Sequence, residues 1–220
     1  MIIAILGSGG REHAICKSIS LSKKVNKIFC VPGNGGTEEI AENIDIKLSD
    51  FSKLINFFKK NKVDLVIIGP EKPLVDGIVD KLEENNIKVF GPRKIPSRLE
   101  GSKIFTKELC KKYDIPTAKF GIFKNKNDAI NFLNTTTFPT VIKVDGLASG
   151  KGVFISNNLN EAKQAIDEIL SGKFGNIKKI LIEEFLEGEE MSFFVICDGK
   201  TFKVFQTAQD HKRVGEGDEG

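Results

Sequence analysis

Two lysines and three glycines lie close together in the segment 141–153, VIKVDGLASGKGV. An apolar run that contains Lys143 is followed by a glycine loop that carries Lys151, and then by a second β-like run. A glycine-rich turn lets backbone N–H groups approach phosphate oxygens, and the lysines supply positive charge for a triphosphate. The segment therefore predicts a nucleotide site.

The spacing of this segment differs from that of a P-loop, which needs G-x-x-x-x-G-K-[ST] between a strand and a helix. Gly146 and Gly150 are one residue too close, and Gly152 follows Lys151 where the motif needs the hydroxyl that holds Mg²⁺. Residues 152–156, GVFIS, alternate like a strand. The pattern predicts a strand-loop-strand phosphate clamp. An ordinary glycine hairpin with solvated lysines fits the same residues.

A second candidate segment, IEEFLEGEE at 182–190, combines an acid pair, two apolar residues, a glycine turn and further acids. A strand that joins two sheets can offer its backbone C=O and N–H groups to an adenine edge. A carboxylate a few residues later can accept hydrogen bonds from ribose hydroxyls. The segment is a candidate adenosine site, although a solvated acidic turn would have the same composition.

Short apolar runs alternate with amphipathic helical segments in the first half of the chain. Continuous Ile and Val runs are what strands buried on both faces of a parallel sheet require. The predicted strands are IIAIL at 2–6, KIFCV at 27–31, VDLVIIG at 63–69 and IKVF at 87–90. The predicted helices start near Arg11 and cover about 50–60, 74–86 and 97–113. This alternation predicts an α/β fold with a parallel sheet.

The pattern changes after the segment 114–121, DIPTAKFG, which we interpret as a linker because Pro116 cannot continue the preceding helix. Beyond it, hairpin-like strands flank two predicted helices, which is typical of a small α+β module. From Glu190 onward the sequence predicts two strands around a turn at Asp198-Gly199. We therefore expect three domains, over residues 1–115, 116–189 and 190–220.

Glycine-containing turns follow the first three predicted strands, where open α/β sheets bind their ligands. The turns are Gly7-Ser8-Gly9-Gly10, Asn34-Gly35-Gly36 and Gly69-Pro70-Glu71. The first turn departs from the dinucleotide fingerprint G-x-G-x-x-G, because Glu12 stands where the third glycine is needed. A helix N-terminus beneath glycine N–H groups favours a small phosphorylated ligand instead.

Composition excludes several classes of function. The chain has 33 Lys and Arg against 30 Asp and Glu, and the small excess forms no basic block that would favour nucleic acid. The four cysteines lack C-x-x-C spacing and lie mostly in apolar runs, which predicts reduced core thiols in the cytosol rather than disulfides or a zinc site. The N-terminal MIIAILG lacks a basic leader, and the sequence has no apolar run of membrane-spanning length.

Eight motifs stand in order along the chain. They are GSGGREHA at 7–14, PGNGGT at 32–37, GPEKPLVDG at 69–77, FGP at 90–92, LEGSK at 99–103, IKVDGLASGKGV at 142–153, IEEFLEGEE at 182–190 and QDHKRVG at 209–215. In this order the chain resembles the phosphoribosylamine–glycine ligases, or glycinamide ribonucleotide synthetases, of the ATP-grasp superfamily. The resemblance implies a pre-ATP-grasp, Rossmann-like N-terminal α/β domain, a small α+β ATP-grasp subdomain and the start of the second ATP-grasp subdomain.

The resemblance also implies a reaction. Glycine would be joined to 5-phosphoribosylamine through a glycyl phosphate, giving glycinamide ribonucleotide, ADP and phosphate in the second step of de novo purine synthesis. The implied cofactors are ATP and Mg²⁺, or Mn²⁺ in its place. The implied enzyme is a cytoplasmic monomer that binds glycine and 5-phosphoribosylamine but neither nucleic acid nor membranes.

Site residues follow from the same resemblance. Lys103 and Lys143 match the family's phosphate-facing lysines and are the implied catalytic residues. The implied ATP-binding residues are Lys103, Lys143, Gly146, Ser149, Gly150, Lys151, Gly152, Glu183, Glu184, Phe185, Leu186 and Glu190. The implied substrate-binding residues are Gly9, Gly10, Asn34, Gly35, Glu71, Asp210 and Lys212. His13 and His211 fit packing roles better than catalytic ones.

Members of the family continue after the tail RVGEGDEG with a Pro-Asn-Thr-Gly-Gly-Met-Gly stretch, the carboxylate and asparagine that hold Mg²⁺, and a C-terminal domain. The 220 residues contain none of these. We therefore expect the metal ligands to lie beyond residue 220, and the chain to be a fragment with little or no ligase activity alone. A non-catalytic nucleotide-binding fragment and another ATP-grasp carboxylate–amine ligase are the alternatives.

Overall fold

The computed structural model describes residues 1–147, 152–175, 179–209 and 215. The chain divides into two compact units, Met1–Glu184 and Phe185–Gly220. Both sheets of the first unit and all the helices of the described residues lie before Phe185. None of these helices is long and apolar enough to cross a bilayer.

The first sheet has five strands, all paired in parallel, in the order β3-β2-β1-β4-β5. The strands are β1 (Ile2–Gly7), β2 (Lys27–Pro32), β3 (Glu42–Asn43), β4 (Leu65–Ile68) and β5 (Val89–Phe90). The predicted parallel sheet is confirmed. The sequence did not reveal β3, because two polar residues have no apolar run from which a strand could be recognised.

Seven helices accompany this sheet: α1 (Gly10–Ser20), α2 (Gly35–Glu38), α3 (Phe51–Lys60), α4 (Glu71–Asp76), α5 (Ile78–Glu84), α6 (Arg98–Gly101) and α7 (Lys103–Lys112). Two predictions of single helices were wrong. The predicted helix at 74–86 is split at Gly77, whose φ of 95° lies in the left-handed region. The predicted helix at 97–113 is split at Ser102, which has extended backbone and begins α7 as its N-cap.

Both faces of the parallel sheet are buried. On one face Leu6 and Phe29 pack in a cluster with Leu54, Phe58 and Leu82 of α3 and α5. On the other face Ile3, Ile5, Ile28 and Cys30 pack with Cys16 of α1. This arrangement explains why the strands are continuous apolar runs rather than alternating ones.

The second sheet of this unit has four antiparallel strands in the order β6-β9-β7-β8. Its strands are β6 (Phe120–Phe123), β7 (Thr140–Val144), β8 (Val153–Ser156) and β9 (Ile180–Glu184), and its helices are α8 (Lys126–Leu133) and α9 (Leu159–Leu170). The predicted α+β module and the predicted strand-loop-strand around the glycine loop are confirmed.

Alternation along these strands separates an apolar face from a charged one. Ile142, Ile180 and Ile182 are buried in a cluster with residues of α8 and α9. Each such side chain contributes about 1.5–3 kcal/mol to folding by leaving water. Because successive side chains point to opposite faces of a strand, Lys143 and Glu183 lie together on the other face of this sheet.

The second unit contains two short antiparallel pairs. The strands β10 (Met191–Ser192) and β13 (Ala208–Gln209) pair with each other, as do β11 (Val195–Cys197) and β12 (Phe202–Val204). The predicted hairpin at Asp198-Gly199 is confirmed, and the Asp198 carboxylate accepts hydrogen bonds from the N–H groups of Lys200 and Thr201. The predicted domain boundaries at 115 and 189 stay predictions.

The four cysteines are free thiols in different surroundings. Cys16 and Cys30 are buried, and burial raises the pKa of the Cys30 thiol to about 12, so this thiol is protonated at neutral pH. Cys110 is half-buried. The expectation of a core thiol is wrong for Cys197, which is exposed in β11, because an apolar run in a short hairpin need not be covered.

Candidate functional site

The glycine loop that follows β7 is attached to the N-terminus of α7. The Asp145 carboxylate accepts hydrogen bonds from Ser102 Oγ at 3.0 Å and from the N–H of Ile104 at 3.2 Å. Ser102 Oγ in turn accepts the N–H of Phe105 at 3.1 Å. Side-chain oxygens from two parts of the chain thus satisfy N–H groups of the first turn of α7. These two caps fix the first turn of α7 beside the glycine loop, and Lys103 is the first residue of that turn.

Lys103 contacts the loop directly. Its Nζ donates a hydrogen bond to the carbonyl oxygen of Gly146 at 2.9 Å, and Gly146 has a φ of 110°, in the left-handed region that favours glycine. The ammonium therefore lies beside the loop and at the N-terminus of a helix, where the helix dipole also favours negative charge. Both features suit an anionic ligand.

Lys143 lies on the charged face of the four-stranded sheet and is paired with a buried acid. Its Nζ is 2.9 Å from Glu183 Oε2, and the Glu183 side chain is 6% exposed. The pairing follows from the register, because Val141 is directly opposite Glu183 and Lys143 is the diagonal neighbour on the same face. The side chain of Glu183 is thus engaged by the protein itself.

A lysine that the sequence analysis missed joins the same carboxylate. Lys107 Nζ lies 3.4 Å from Glu183 Oε2, and it donates hydrogen bonds to Thr117 Oγ1 at 2.6 Å and to the carbonyl of Ala118 at 3.3 Å. Lys107 is four residues after Lys103, so both lysines lie on one face of α7. That spacing is the signal that could have indicated it.

A cleft of about 650 Å³ opens beside Lys103 and Gly146. It brings the glycine loop after β7 together with the turn after β4 and with the start of α1. Its lining residues are Arg11, Pro70, Glu71, Lys72, Glu100, Lys103, Gly146, Leu147, Gly152 and Val153. Three predicted site residues that are distant in sequence, Glu71, Lys103 and Gly146, therefore line one cavity.

The predicted substrate residue Glu71 forms an ion pair across this cleft wall. Arg11 lies 3.1 Å from its carboxylate. The pKa of Glu71 is held below its usual value, first because the carboxylate accepts its own backbone N–H at the start of α4, and then because Arg11 is close. Glu71 is therefore ionised at neutral pH and balances part of the positive charge of the cleft.

The two N-terminal glycine turns are held by their own side chains. Asn34 Oδ1 accepts hydrogen bonds from the N–H groups of Gly36 and Thr37, while Nδ2 donates to the carbonyl of Ser8 at 2.9 Å. The Glu12 carboxylate accepts the N–H of Gly9 at 2.7 Å. Both ends of the Asn34 amide are engaged, so this predicted ligand-binding residue joins the first turn to the second.

Gly7 of the first turn and Gly69 of the third turn pack closely against Glu12, which is 5% exposed. A Cβ atom on Gly69 would lie 2.1 Å from Glu12 Oε1, and one on Gly7 would lie 2.4 Å from Glu12 Cγ. The residue that breaks the dinucleotide fingerprint therefore fills the space beneath two of the three turns. His13 packs against Gly36 in the same region, in agreement with a packing role.

The remaining predicted residues lie in three places. Glu184 accepts the N–H of Lys119 at 2.8 Å through its side chain. Phe185, Leu186 and Glu190 belong to the second unit, where Leu186 is exposed. Ser149, Gly150, Lys151, Asp210 and Lys212 lie outside the described residues. The roles assigned to all these residues stay predictions.

Among the residues that the structure describes, no cluster of three His, Cys, Asp or Glu side chains could hold a metal ion. The cleft lining carries Arg11, Lys72 and Lys103 beside Glu71 and Glu100, and lysine and arginine side chains suit phosphate groups.

Two family models together match the whole chain. "Phosphoribosylglycinamide synthetase, N domain" matches residues 1–100, and "Phosphoribosylglycinamide synthetase, ATP-grasp (A) domain" matches residues 101–220. The chain belongs to the phosphoribosylglycinamide synthetase family. The resemblance that the eight motifs indicate is confirmed.

Individual relatives agree with this family. The phosphoribosylamine–glycine ligase of Mesorhizobium japonicum is 48% identical over 221 residues, which cover 100% of this chain and 52% of the relative. The crystal structure of the phosphoribosylamine–glycine ligase of Thermotoga maritima superposes with a TM-score of 0.80 at 32% identity, covering 100% of this chain and 53% of that one. The chain spans about half the length of the curated relatives it matches.

The ATP-grasp fold is shared more widely. An N5-carboxyaminoimidazole ribonucleotide synthetase, solved as its ADP complex, has a TM-score of 0.72 at 19% identity, with 99% of this chain and 55% of that chain covered. At this identity the likeness concerns the fold alone. The predicted fold class, a Rossmann-like α/β domain followed by ATP-grasp elements, is confirmed.

Proposed function

We propose that this chain forms the substrate- and nucleotide-binding part of a ligase that joins glycine to 5-phosphoribosylamine with the hydrolysis of ATP. The products would be glycinamide ribonucleotide, ADP and phosphate, formed through a glycyl phosphate. The observation that carries the proposal is the cleft in which Lys103 and the Gly146 loop meet Arg11 and Glu71. A phosphoryl donor and an acceptor have to meet in such a place.

ATP fits the charges of this region. Lys103 and Lys143 would neutralise its phosphate oxygens, and the loop from Gly146 to Gly152 would cover them, as the resemblance implies. ATP when bound supplies the phosphoryl group that activates the glycine carboxylate. The protein positions that group, because phosphoryl transfer requires little covalent chemistry from side chains.

The adenosine part is assigned to the end of β9 and the residues after it. Glu183, Glu184, Phe185 and Leu186 would line the adenine pocket, as the resemblance implies. The adenine edge would meet backbone groups of Phe185 and Leu186, because Glu183 and Glu184 are paired within the sheet and the Glu184 N–H donates to the carbonyl of Lys119. Glu190 would accept hydrogen bonds from the ribose hydroxyls.

The substrates are assigned to the turns of the parallel sheet. Gly9, Gly10 and Gly35 would cradle the sugar phosphate with backbone N–H groups, in a shape that Asn34 maintains. Glu71 would contact the substrate amine from the wall of the cleft. Asp210 and Lys212 are kept as proposed glycine contacts. A monomeric state, a cytoplasmic location and a need for Mg²⁺ or Mn²⁺ held by other residues stay predictions.

The test is ADP release with ATP, Mg²⁺, glycine and freshly made phosphoribosylamine. The 220-residue chain is assayed beside a chain extended to the length of its relatives, with the Mesorhizobium japonicum ligase as the positive control. We expect the longer chain to release ADP only when both glycine and phosphoribosylamine are present. We expect little release from the 220 residues alone.

Two controls separate this proposal from its alternatives. Lys103→Met in the longer chain should lower kcat by at least about 100-fold, since one charged contact to the transferred group is lost. Bicarbonate and other amino acids in place of glycine test for another carboxylate–amine ligase. A folded, longer chain that releases no ADP with glycine would contradict the proposal.

A further inference from the structure

One buried carboxylate is shared by two lysines from different elements. Glu183 Oε2 lies 2.9 Å from Lys143 Nζ on β7 and 3.4 Å from Lys107 Nζ on α7. The side chains of Glu183 and Lys107 are 6% and 11% exposed, whereas that of Lys143 is 25% exposed. The cluster therefore carries one more positive than negative charge, and its most accessible member is Lys143.

The two lysines are held to different degrees. Lys107 has two further acceptors, Thr117 Oγ1 and the carbonyl of Ala118. Among the described residues, Glu183 is the one hydrogen-bond acceptor that the structure gives for Lys143 Nζ. Lys107 is thus fixed in place, and Lys143 is the lysine that can exchange its partner for a ligand.

We propose that Lys107 is a positioning residue that keeps Glu183 neutralised when Lys143 turns toward a nucleotide phosphate. A buried carboxylate that loses its only cation is strongly destabilised. With Lys107 in place, Lys143 can leave Glu183 at little cost and bind the phosphate. Without Lys107, Glu183 would compete with the ligand for Lys143. This inference rests on the nucleotide site proposed above.

The first test needs no ligand. Thermal unfolding is measured for the protein and for Lys107→Met, Lys143→Met and the double variant. Either lysine alone can neutralise Glu183, so each single variant should lower the Tm by only a few degrees. The double variant should lower it by about 10 °C beyond the sum, because a buried charge is left unpaired. Glu183→Gln in the same background should remove this excess.

The matched control for these variants is Lys111→Met, an exposed lysine on the same helix, which should leave the Tm unchanged within about 1 °C. Additive effects of Lys107→Met and Lys143→Met would overturn the proposal. It would also be overturned if Lys143→Met alone were as damaging as the double variant, since Lys107 could then not hold Glu183 alone.

The second test is the binding of ATP, followed by isothermal titration. Lys107→Met should weaken binding about tenfold, and Lys107→Met/Glu183→Gln should recover most of the loss, because glutamine has no charge that retains Lys143. A purely structural lysine would not be rescued in this way, so unchanged binding or failed rescue would contradict the proposal. If the parent protein binds no ATP, the proposed nucleotide site fails, and the unfolding cycle still decides the role of Lys107.

Discussion

The glycine turns of the parallel sheet and the lysine cluster of the antiparallel sheet hold their predicted site residues differently. In the turns, Glu12 accepts a backbone N–H of its own turn, and Asn34 hydrogen-bonds both to its own turn and to the Ser8 carbonyl of the first turn. These side chains therefore maintain the shape of the turns. In the cluster of Lys107, Lys143 and Glu183, Lys143 is held by a carboxylate, and nearby Lys103 is held by the Gly146 carbonyl. A phosphate could replace either partner. The glycine turns thus have a fixed shape, whereas the lysines have acceptors that a ligand could replace.

This difference predicts different responses to substitution. At Gly7 and Gly69, added volume should damage the fold, because these backbones are closely packed against Glu12. In the cluster, changes of charge should alter ligand binding more than stability, provided that one cation remains beside Glu183. Substitutions at four positions outside the lysine cycle can break or sharpen this contrast.

The largest effect is expected for Gly69→Ala. The new Cβ atom would lie 2.1 Å from Glu12 Oε1, and Glu12 cannot move freely because its other oxygen accepts the Gly9 N–H. We expect the free energy of unfolding to fall by about 3 kcal/mol, measured by urea denaturation. The control is Gly10→Ala, where no atom lies within 4 Å of the added Cβ. Equal losses in the two variants would contradict the packing argument.

The next largest effect is expected for Asp145→Ala, which removes the cap that joins the glycine loop to α7. We expect a loss of about 2 kcal/mol in unfolding free energy, because the Ile104 N–H and Ser102 Oγ lose their acceptor. Asp45→Ala, at an exposed position, is the control. A loss no larger than that of the control would show that the loop is held by other contacts.

A smaller effect is expected at Asn34, where two variants separate the two ends of the amide. Asn34→Ala removes both the acceptor for Gly36 and Thr37 and the donor to Ser8, which should lower the unfolding free energy by about 1 kcal/mol. Asn34→Asp keeps the acceptor and should fall between the parent and Asn34→Ala. If Asn34→Asp were less stable than Asn34→Ala, the repulsion between the new carboxylate and the Ser8 carbonyl would cost more than the retained N-cap contributes.

The smallest effect is expected for Glu71, whose side chain is 38% exposed. Its pKa in the folded protein is lowered by its own N–H and by Arg11, so its stabilisation is present above its ordinary value of 4.5 and is lost as the pH falls through the folded pKa. Glu71→Gln should therefore differ from the parent by less than about 0.5 kcal/mol at pH 7, and not at all in strong acid. Urea unfolding at both pH values checks this, and a difference that grows as the pH falls would contradict it.

The elements of the chain could be predicted well because their signals are local. The Ile and Val runs of β1, β2 and β4 and the periodic segments of α3 and α9 need no knowledge of the rest of the fold. The splits at Gly77 and Ser102 could not be predicted in the same way. The apolar pattern continues across Gly77, and the cap at Ser102 is completed by Asp145, which lies far along the chain.

Candidate site residues could be proposed from the sequence where they belong to a motif. Contacts between residues that are distant in sequence could not. The glycine loop and Lys103 were found from their spacing and from the family resemblance. Lys107 was missed because its partner Glu183 is distant in sequence. Glu183 reaches α7 only because β9 lies between β6 and β7 in the folded sheet. The double use of the Asn34 amide is hidden for the same reason.

The Asn34-Gly35 step also affects how the protein ages in storage. Asparagine is chemically labile, and most so before glycine, where the next backbone nitrogen can attack the side-chain amide and release ammonia. Water then opens the resulting succinimide to aspartate or isoaspartate. In this fold the Nδ2 donor to the Ser8 carbonyl would then be replaced by a carboxylate oxygen, and two acceptors would face each other. Aged protein would carry a new negative charge beside the proposed sugar-phosphate cradle. Intact mass should therefore be checked for deamidation before weak phosphate binding is attributed to the sequence.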